Sequence, residues 1–528
     1  MRLRRLKRWW PAVLGVLIIL FVSAAIPGKW TLTVSPETTF VTEPVDAEGF
    51  VDYPTALNER LRQGITPETN ANVLIWKALG PRPEGATMPP AYFQWLGIES
   101  PPEQGDYFID SDKFFERQLK DRLVDVQKVS DSLQKWRDRV DWAIKWPWKR
   151  SEYPNVADWL KQNEKPLAVL IEASKRPEYF NPLISKSADP RTTRIMNSLL
   201  PSAQKCRAVC RALSCRAMGR IGDGDFDGAW QDLLACQRLG RLIGRSGTLI
   251  ESLVGVALVA NATSGQITLV SHSKHPSKQV LAWLDDLQKL PPMRPFADKL
   301  DLGERFQTLD SLQSIVCCRG DDNAATPGQP PRANGFWDRA FTRGTDFDPA
   351  FRNANRAFDD YVAAARQSDR GKRKDEVAAI SARFDQAART TAQKGSLAKL
   401  VSSRAERGEH IGNVMIALLL PSIEKVLDSG DRTEQTQTNL QIAFALAAYR
   451  ADQGKYPPRL DELAPKYLSK IPLDLFSGKP LIYRPAENGY LLYSVGVNGI
   501  DEDGRWTDDD PKGDDLRVRM PVTEPPRK

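Results

Sequence analysis

The first 26 residues constrain the topology of everything after them. Five basic residues, Arg2, Arg4, Arg5, Lys7 and Arg8, precede Trp9 and Trp10, and the stretch from Pro11 to Ile26 is apolar without a charge. A cationic flank, an interfacial aromatic pair and an apolar run near the short end of a bilayer span predict a transmembrane anchor over 9–26. The positive-inside bias then places the arm 1–8 in the cytoplasm and the remaining chain outside it. A cleaved signal peptide is the alternative, because Val22-Ser23-Ala24 offers small residues near a cut site. Pro27-Gly28 followed by Lys29-Trp30 reads as a second interface and favours the uncleaved anchor.

With 528 residues, the part beyond the anchor is long enough for two or three domains with real cores. A formal charge of +7 is modest for this size and is fed partly by the N-terminal arm, so it gives no ground for nucleic-acid binding. Residues 27–57, with Pro36, Pro44 and Pro54 among Thr, Val and Glu, read as an extended, poorly packed stalk. A helical domain is expected over 58–318. Gly-, Pro- and Asp-rich residues 319–348 read as a flexible insertion, and 349–430 as a second helical segment.

Within the helical domain, Ala203–Arg220 and Phe226–Ile243 flank the turn Gly222-Asp223-Gly224-Asp225, which predicts an antiparallel helix pair with Phe226, Trp230, Leu233 and Leu234 facing inward. No sister copy recurs at a repeat period, so an irregular bundle is expected rather than an array. Trp136, Trp142, Trp146 and Trp148 lie among Lys145, Lys149 and Arg150. That cluster suits either a stacking platform for sugars or acidic polymers, or aromatic packing between helices; packing is the default. Cys206, Cys210, Cys215 and Cys236 read as small core residues; an extracytoplasmic location also permits disulfides, including one from Cys317 or Cys318. Glu251, amid apolar neighbours, must find a partner or shift its pKa.

The C-terminal run carries the most specific pattern. Leu440, Phe444, Ala447 and Ala448 recur at helical spacing over Thr438–Asp452, and Gly454 stands where a left-handed cap is wanted. Tyr456-Pro457-Pro458 forbids further helix, and a short helix Leu460–Tyr467 follows. Asn488-Gly489 between apolar runs signals a hairpin.

Those residues, YRADQGKYPPRLDELAPKYLSKIPLDLFSGKPLIYR, then GYLLYSVGVNGIDEDG and GDDLRV, resemble the globular part of the type II secretion major pseudopilin, over about 411–520. The upstream run Val414–Pro421 is similar to the end of a pilin's apolar stem. The whole chain also resembles uncharacterised membrane-anchored bacterial proteins with this ending. The resemblance implies a small α+β module over 431–520, followed by a tail 521–528, and a calcium ion in the loop after the last hairpin. A pilin begins at its own processed N-terminus, whereas this module ends a long ectodomain. Gly247–Leu258 also resembles a processed pilin start, but it lacks the Phe after Gly and its Glu falls one place early. A buried helix is expected there.

The acidic loop is where the resemblance bears on chemistry. Ser494, Asn498, Asp501, Asp503, Asp514 and Asp515 are the candidate metal ligands, with Asp508, Asp509 and Asp510 beside them and only Arg505 and Lys512 to offset the charge. Hard divalent cations take several carboxylate and carbonyl oxygens, and the ion the resemblance implies among them is Ca²⁺. Asp501-Glu502-Asp503-Gly504 is only a fragment of a calcium-loop pattern, so a solvated acidic loop is the other reading.

The sequence has no phosphate-cradling Gly-rich loop, no Gly-x-Ser-x-Gly elbow and no His-Glu-x-x-His helix, and His272, His275 and His410 have no acid or nucleophile at a telling spacing. The expected class is mainly α: an N-terminal transmembrane helix, an irregular helical bundle and a small C-terminal α+β module. The functional expectation is a non-enzymatic, membrane-anchored extracytoplasmic scaffold or interaction protein with protein partners in the cell envelope and a calcium-stabilised terminal module. The alternatives are an accessory of a type II secretion or pilus-like apparatus, and an unrecognised extracytoplasmic hydrolase or sugar-binding protein.

Overall fold

The computed structural model describes residues 30–83, 85, 87–119, 126–185, 195–198, 200–272, 274–317, 344–393 and 402–526. The expected anchor 9–26, the arm 1–8, Cys318 and most of the expected insertion 319–348 lie outside the described residues. The described chain is mainly helical and carries one three-stranded sheet. It divides into two compact units. One gathers the described residues within 1–59, 185–198 and 297–424, and the other those within 60–184, 199–296 and 425–528.

In the first unit the stretch expected to be a loose stalk is packed. Thr38, Thr39, Val41, Val51, Tyr53 and Leu57 are all buried, and Tyr53–Arg62 is helical. Backbone and side chains share this work: Val51 exchanges hydrogen bonds with the Gln313 amide at 3.2 and 2.8 Å, and the Asn355 amide donates to Thr38 O at 2.7 Å. The prolines broke the periodicity that marks a packed segment in sequence, but non-local partners supply the order. Arg305, 1% exposed, follows a π-helical turn Leu300–Glu304 and pairs with Asp301 and Asp359 at 2.9 and 2.8 Å. Its guanidinium also lies 4.3 Å from the centre of the Phe40 ring.

The second unit holds the helices used below: α1 (Ala71–Leu79), α2 (Ser111–Leu119), α3 (Pro201–Asp223), α4 (Phe226–Ile243), α5 (Leu249–His272), α6 (Ser277–Gln288) and the last part of α7 (Arg404–Gln453). The pair α3 and α4 forms as expected. Gly224 takes φ 82°, the left-handed cap the turn requires, and the Asp225 side chain caps α4 by accepting from Gly228 N at 3.0 Å. Asp232, fully buried, ties the pair together through Arg216 and Arg220 at 2.6 and 2.9 Å.

Helix α5 takes in the Gly247–Leu258 segment from Leu249 onward and packs its buried side in this unit. At Gly255 a Cβ would lie 2.4 Å from Gly240 O, so α4 and α5 touch through backbone. The helix runs 24 residues, and among the described residues it and α7 are long and apolar enough, by length and composition alone, to cross a membrane. In α5, Leu249, Val254, Leu258 and Leu269 are buried.

Of the four tryptophans, Trp136, Trp142 and Trp148 are buried and their indole N–H groups donate to Ser111 O, Pro525 O and Cys215 O. These three are packing residues, and the half-buried Trp146 meets the His272 ring with centres 4.7 Å apart. Cys206, Cys210, Cys215 and Cys236 are free and buried in the same core.

Helix α7 ends at Gln453, where Gly454 takes φ 77°. The expected short helix shrinks to a 3₁₀ turn, Leu460–Leu463. Strand β1 (Ile482–Ala486) pairs antiparallel with β2 (Gly489–Ser494) through the Glu487-Asn488 turn, and β2 pairs antiparallel with β3 (Leu516–Met520). Leu440, Phe444 and Ala448 of α7 share one buried cluster with Leu492, Val518 and the helical residues Trp230 and Leu233. The terminal segment therefore does not form a core of its own: Phe444 meets Trp230 with ring centres 5.6 Å apart.

Candidate metal centre

The acidic loop joins β2 to β3 and is held from both ends. Ser494 closes β2, is fully buried and donates to Asp474 Oδ1 at 2.8 Å. Asp474 also accepts from Phe476 N, Ser477 Oγ and Val495 N at 3.0, 3.0 and 3.2 Å. Sequence reasoning missed Asp474 because it lies 20 residues before Ser494, in what reads as a simple turn. Gly496 follows at φ 67°, and a Cβ there would stand 2.2 Å from Asp514 O, so the two ends of the loop touch at a position only glycine fits.

Each of the six candidate ligands has an assigned place. Asn498 N donates to Asp514 Oδ2 at 3.0 Å, and Asn498 Oδ1 accepts from Ile500 N at 2.8 Å. Asp514 Oδ1 is held by Arg432 of α7. Asp503, at φ 61°, points outward to Arg484 at 2.9 Å. Asp501 Oδ1 accepts from Asp503 N at 3.0 Å and from Tyr493 OH at 2.9 Å, and these bonds lower its pKa from the ordinary value.

Asp515 is the centre of the loop. It is fully buried, and its Oδ2 accepts from Gly504 N at 2.7 Å and Glu502 N at 3.0 Å. The left-handed turn at Asp503 and Gly504 aims both amides at it. Its Oδ1 is buried and has no hydrogen-bond partner among the described residues. Burial raises its pKa, and the charges of Glu502 and Asp501 add to that.

The six residues therefore do not converge as one shell. Ser494 belongs to the Asp474 anchor, and Asp503 and Asp514 are neutralised by Arg484 and Arg432. Asp501, Glu502 and Asp515 have no ion pair among the described residues, and the open acceptor of Asp515 suits a hard cation. Among the described residues, no three His, Cys, Asp or Glu side chains stand arranged to hold a metal ion.

No family model matches the chain, and no curated protein or solved structure matches it either.

Proposed function

We propose that this chain is a membrane-anchored extracytoplasmic scaffold or interaction protein whose C-terminal module, similar to a pseudopilin's, is stabilised by calcium. The observation that carries the reading is the docking of α7. Its apolar face is spent inside a core shared by the helices and the small sheet, which suits a fixed module of a larger body. The loop supports the calcium part: a buried carboxylate oxygen without a donor, beside two acids that no guanidinium pairs, is the environment in which a divalent cation lowers electrostatic repulsion. Asp515 would be its central ligand, with Asp501 and Glu502 as the nearest further carboxylates. Ser494 and Asp503 take no part in this reading.

The test is calorimetric titration of calcium into the full-length protein, with Asp501→Ala, Asp514→Ala and Asp515→Asn alongside. Saturable heat and a higher melting temperature, lost in Asp501→Ala and Asp515→Asn, are expected. No heat and no shift would leave the loop as acidic surface. Protease digestion of right-side-out and inverted membrane vesicles checks the placement: cleavage of the C-terminal segment in inverted vesicles alone would overturn it.

A second reading, an accessory of a type II secretion or pilus-like apparatus, is favoured by Leu473 and Ile500. These are 56% and 60% exposed beside the acidic loop and offer an apolar contact. Loss of co-purifying envelope proteins on Leu473→Asp and Ile500→Asp would support it.

A further inference from the structure

A second site lies far in sequence from the acidic loop, in a cleft of about 270 Å³ lined by Leu79, Pro81, Tyr107, Phe108 and the cations Arg82, Lys113 and Arg117. Its wall is built rigidly. The Tyr107 ring lies so close to Gly80 and Gly105 that a Cβ would come within 2.6 Å of it at the first and 2.7 Å at the second, and Gly80 takes φ +76°. Tyr107 OH donates to Pro102 O at 2.5 Å, and Phe108 N donates to Ala78 O at 2.9 Å. Ile109 is fixed by Trp159 and Asn163, whose side chains donate to its carbonyl at 2.8 and 3.0 Å.

The charges are not matched to one another. Lys113 and Arg117 stand one turn apart on α2 and neither has an ion pair among the described residues, whereas Asp112 of the same helix is paired with Arg137 at 2.8 Å. Like charges at this spacing disfavour the helix unless something between them is anionic. Arg82 pairs only with the exposed Glu103, at 3.0 Å, a contact that solvent screening keeps weak and exchangeable. Three cations against one carboxylate, over a wall of proline and aromatic carbon, match a small organic ligand that carries two negative charges.

We infer that this cleft binds a small organic dianion, a dicarboxylate or a phosphate monoester, with Lys113 and Arg117 as its charge partners and Arg82 as the third. The inference is independent of the calcium reading. Full-length protein is titrated calorimetrically, at fixed ionic strength, with succinate, glutarate and glucose 6-phosphate, and with succinamide and glucose as neutral counterparts. Saturable binding of a dicarboxylate or of the phosphate ester, absent for the neutral counterpart and weakened at least tenfold in Lys113→Gln/Arg117→Gln, is expected; which anion binds decides between the two sources. Arg137→Gln, on the neighbouring ion pair, should leave the affinity unchanged. Both cations are exposed, so the double variant should keep the wild-type melting temperature. Absence of saturable binding to every anion, or binding equal in the double variant, overturns the inference.

Discussion

Asn181 Nδ2 donates to Glu251 Oε1 at 2.6 Å in the buried interior of the second unit. Tyr92 OH donates to Asn181 Oδ1 at 2.5 Å and accepts from Trp76 Nε1 at 2.8 Å, while Thr248 Oγ1 at 2.8 Å and Ser246 Oγ serve the other carboxylate oxygen. One carboxylate on α5 thus organises side chains from α1, from the short helix Pro90–Leu96 that carries Tyr92 and from the segment at Asn181. This is how the chain accommodates an acid among apolar neighbours: donors satisfy it in place.

Glu251→Ala should therefore cost about 2–3 kcal/mol, because it strands several buried donors together. A drop in melting temperature with faster proteolysis of the second unit is the expected result. A variant as stable as the wild type would show that the network contributes nothing.

Gly255→Ala sets two effects against each other. Alanine in a helix gains about 1 kcal/mol over glycine, but the new Cβ would stand 2.4 Å from Gly240 O, a backbone atom that cannot rotate away. Overpacking of this kind costs about 1–3 kcal/mol, so destabilisation wins. Thermal melts of Gly255→Ala and Gly240→Ala measure it. The two should be less than additive, since both force the same pair of helices apart.

His275 links stability to pH. Its ring lies between Phe226 and Trp283, with centres 4.6 and 4.9 Å away, and its Nε2 is buried without a partner among the described residues. Burial lowers its pKa, against the smaller opposite pull of Asp227. Because the folded pKa is depressed, the unfolded chain takes up a proton first, near pH 6.5. Stability contributed by this site is full above that value and is lost as pH falls toward the lower folded pKa. His275→Phe, melted from pH 7.5 to 5, should fall less steeply than the wild type.

Asp515→Asn should have opposite effects with and without calcium. In chelator, the amide carbonyl can still accept from Gly504 and Glu502 while the new NH₂ faces Asp501 and Glu502, so repulsion disappears and the melting temperature holds or rises. With calcium, the variant should lose the increment that the wild type gains. Differential scanning calorimetry in both conditions separates the two.

Thiol reactivity reports the core. Burial pushes the Cys206 thiol up to about 12 and the Cys215 thiol higher still, and Cys210 and Cys236 are buried with them. Iodoacetamide on the native protein should leave these four unmodified while half-buried Cys317 reacts; peptide mass mapping before and after denaturation checks it.

Local chemistry made much of the fold legible. The helix pair around Gly222-Asp223-Gly224-Asp225, the stop at Gly454 and the hairpin at Asn488 follow from caps, glycine conformations and apolar spacing, which act within a few residues. The core roles of Cys206, Cys210, Cys215 and Cys236 and of Trp136, Trp142 and Trp148 were likewise readable as defaults.

What sequence alone could not show depends on partners far along the chain. Residues 31–57 looked loose because their order comes from Gln313 and Asn355. The acidic loop announced its charge but not its pairings: only the fold brings Arg432 to Asp514, Arg484 to Asp503 and Asp474 to Ser494, and leaves Asp515 buried with one oxygen open. Composition and spacing determined that helices would dominate, that a hairpin at Asn488-Gly489 would stand near the end of the chain and that the loop after it would be acidic. Which acids stay unpaired, and where cations outnumber carboxylates beside Tyr107, was decided by tertiary structure, because electrostatic pairing depends on distance in space, which spacing along the chain does not encode.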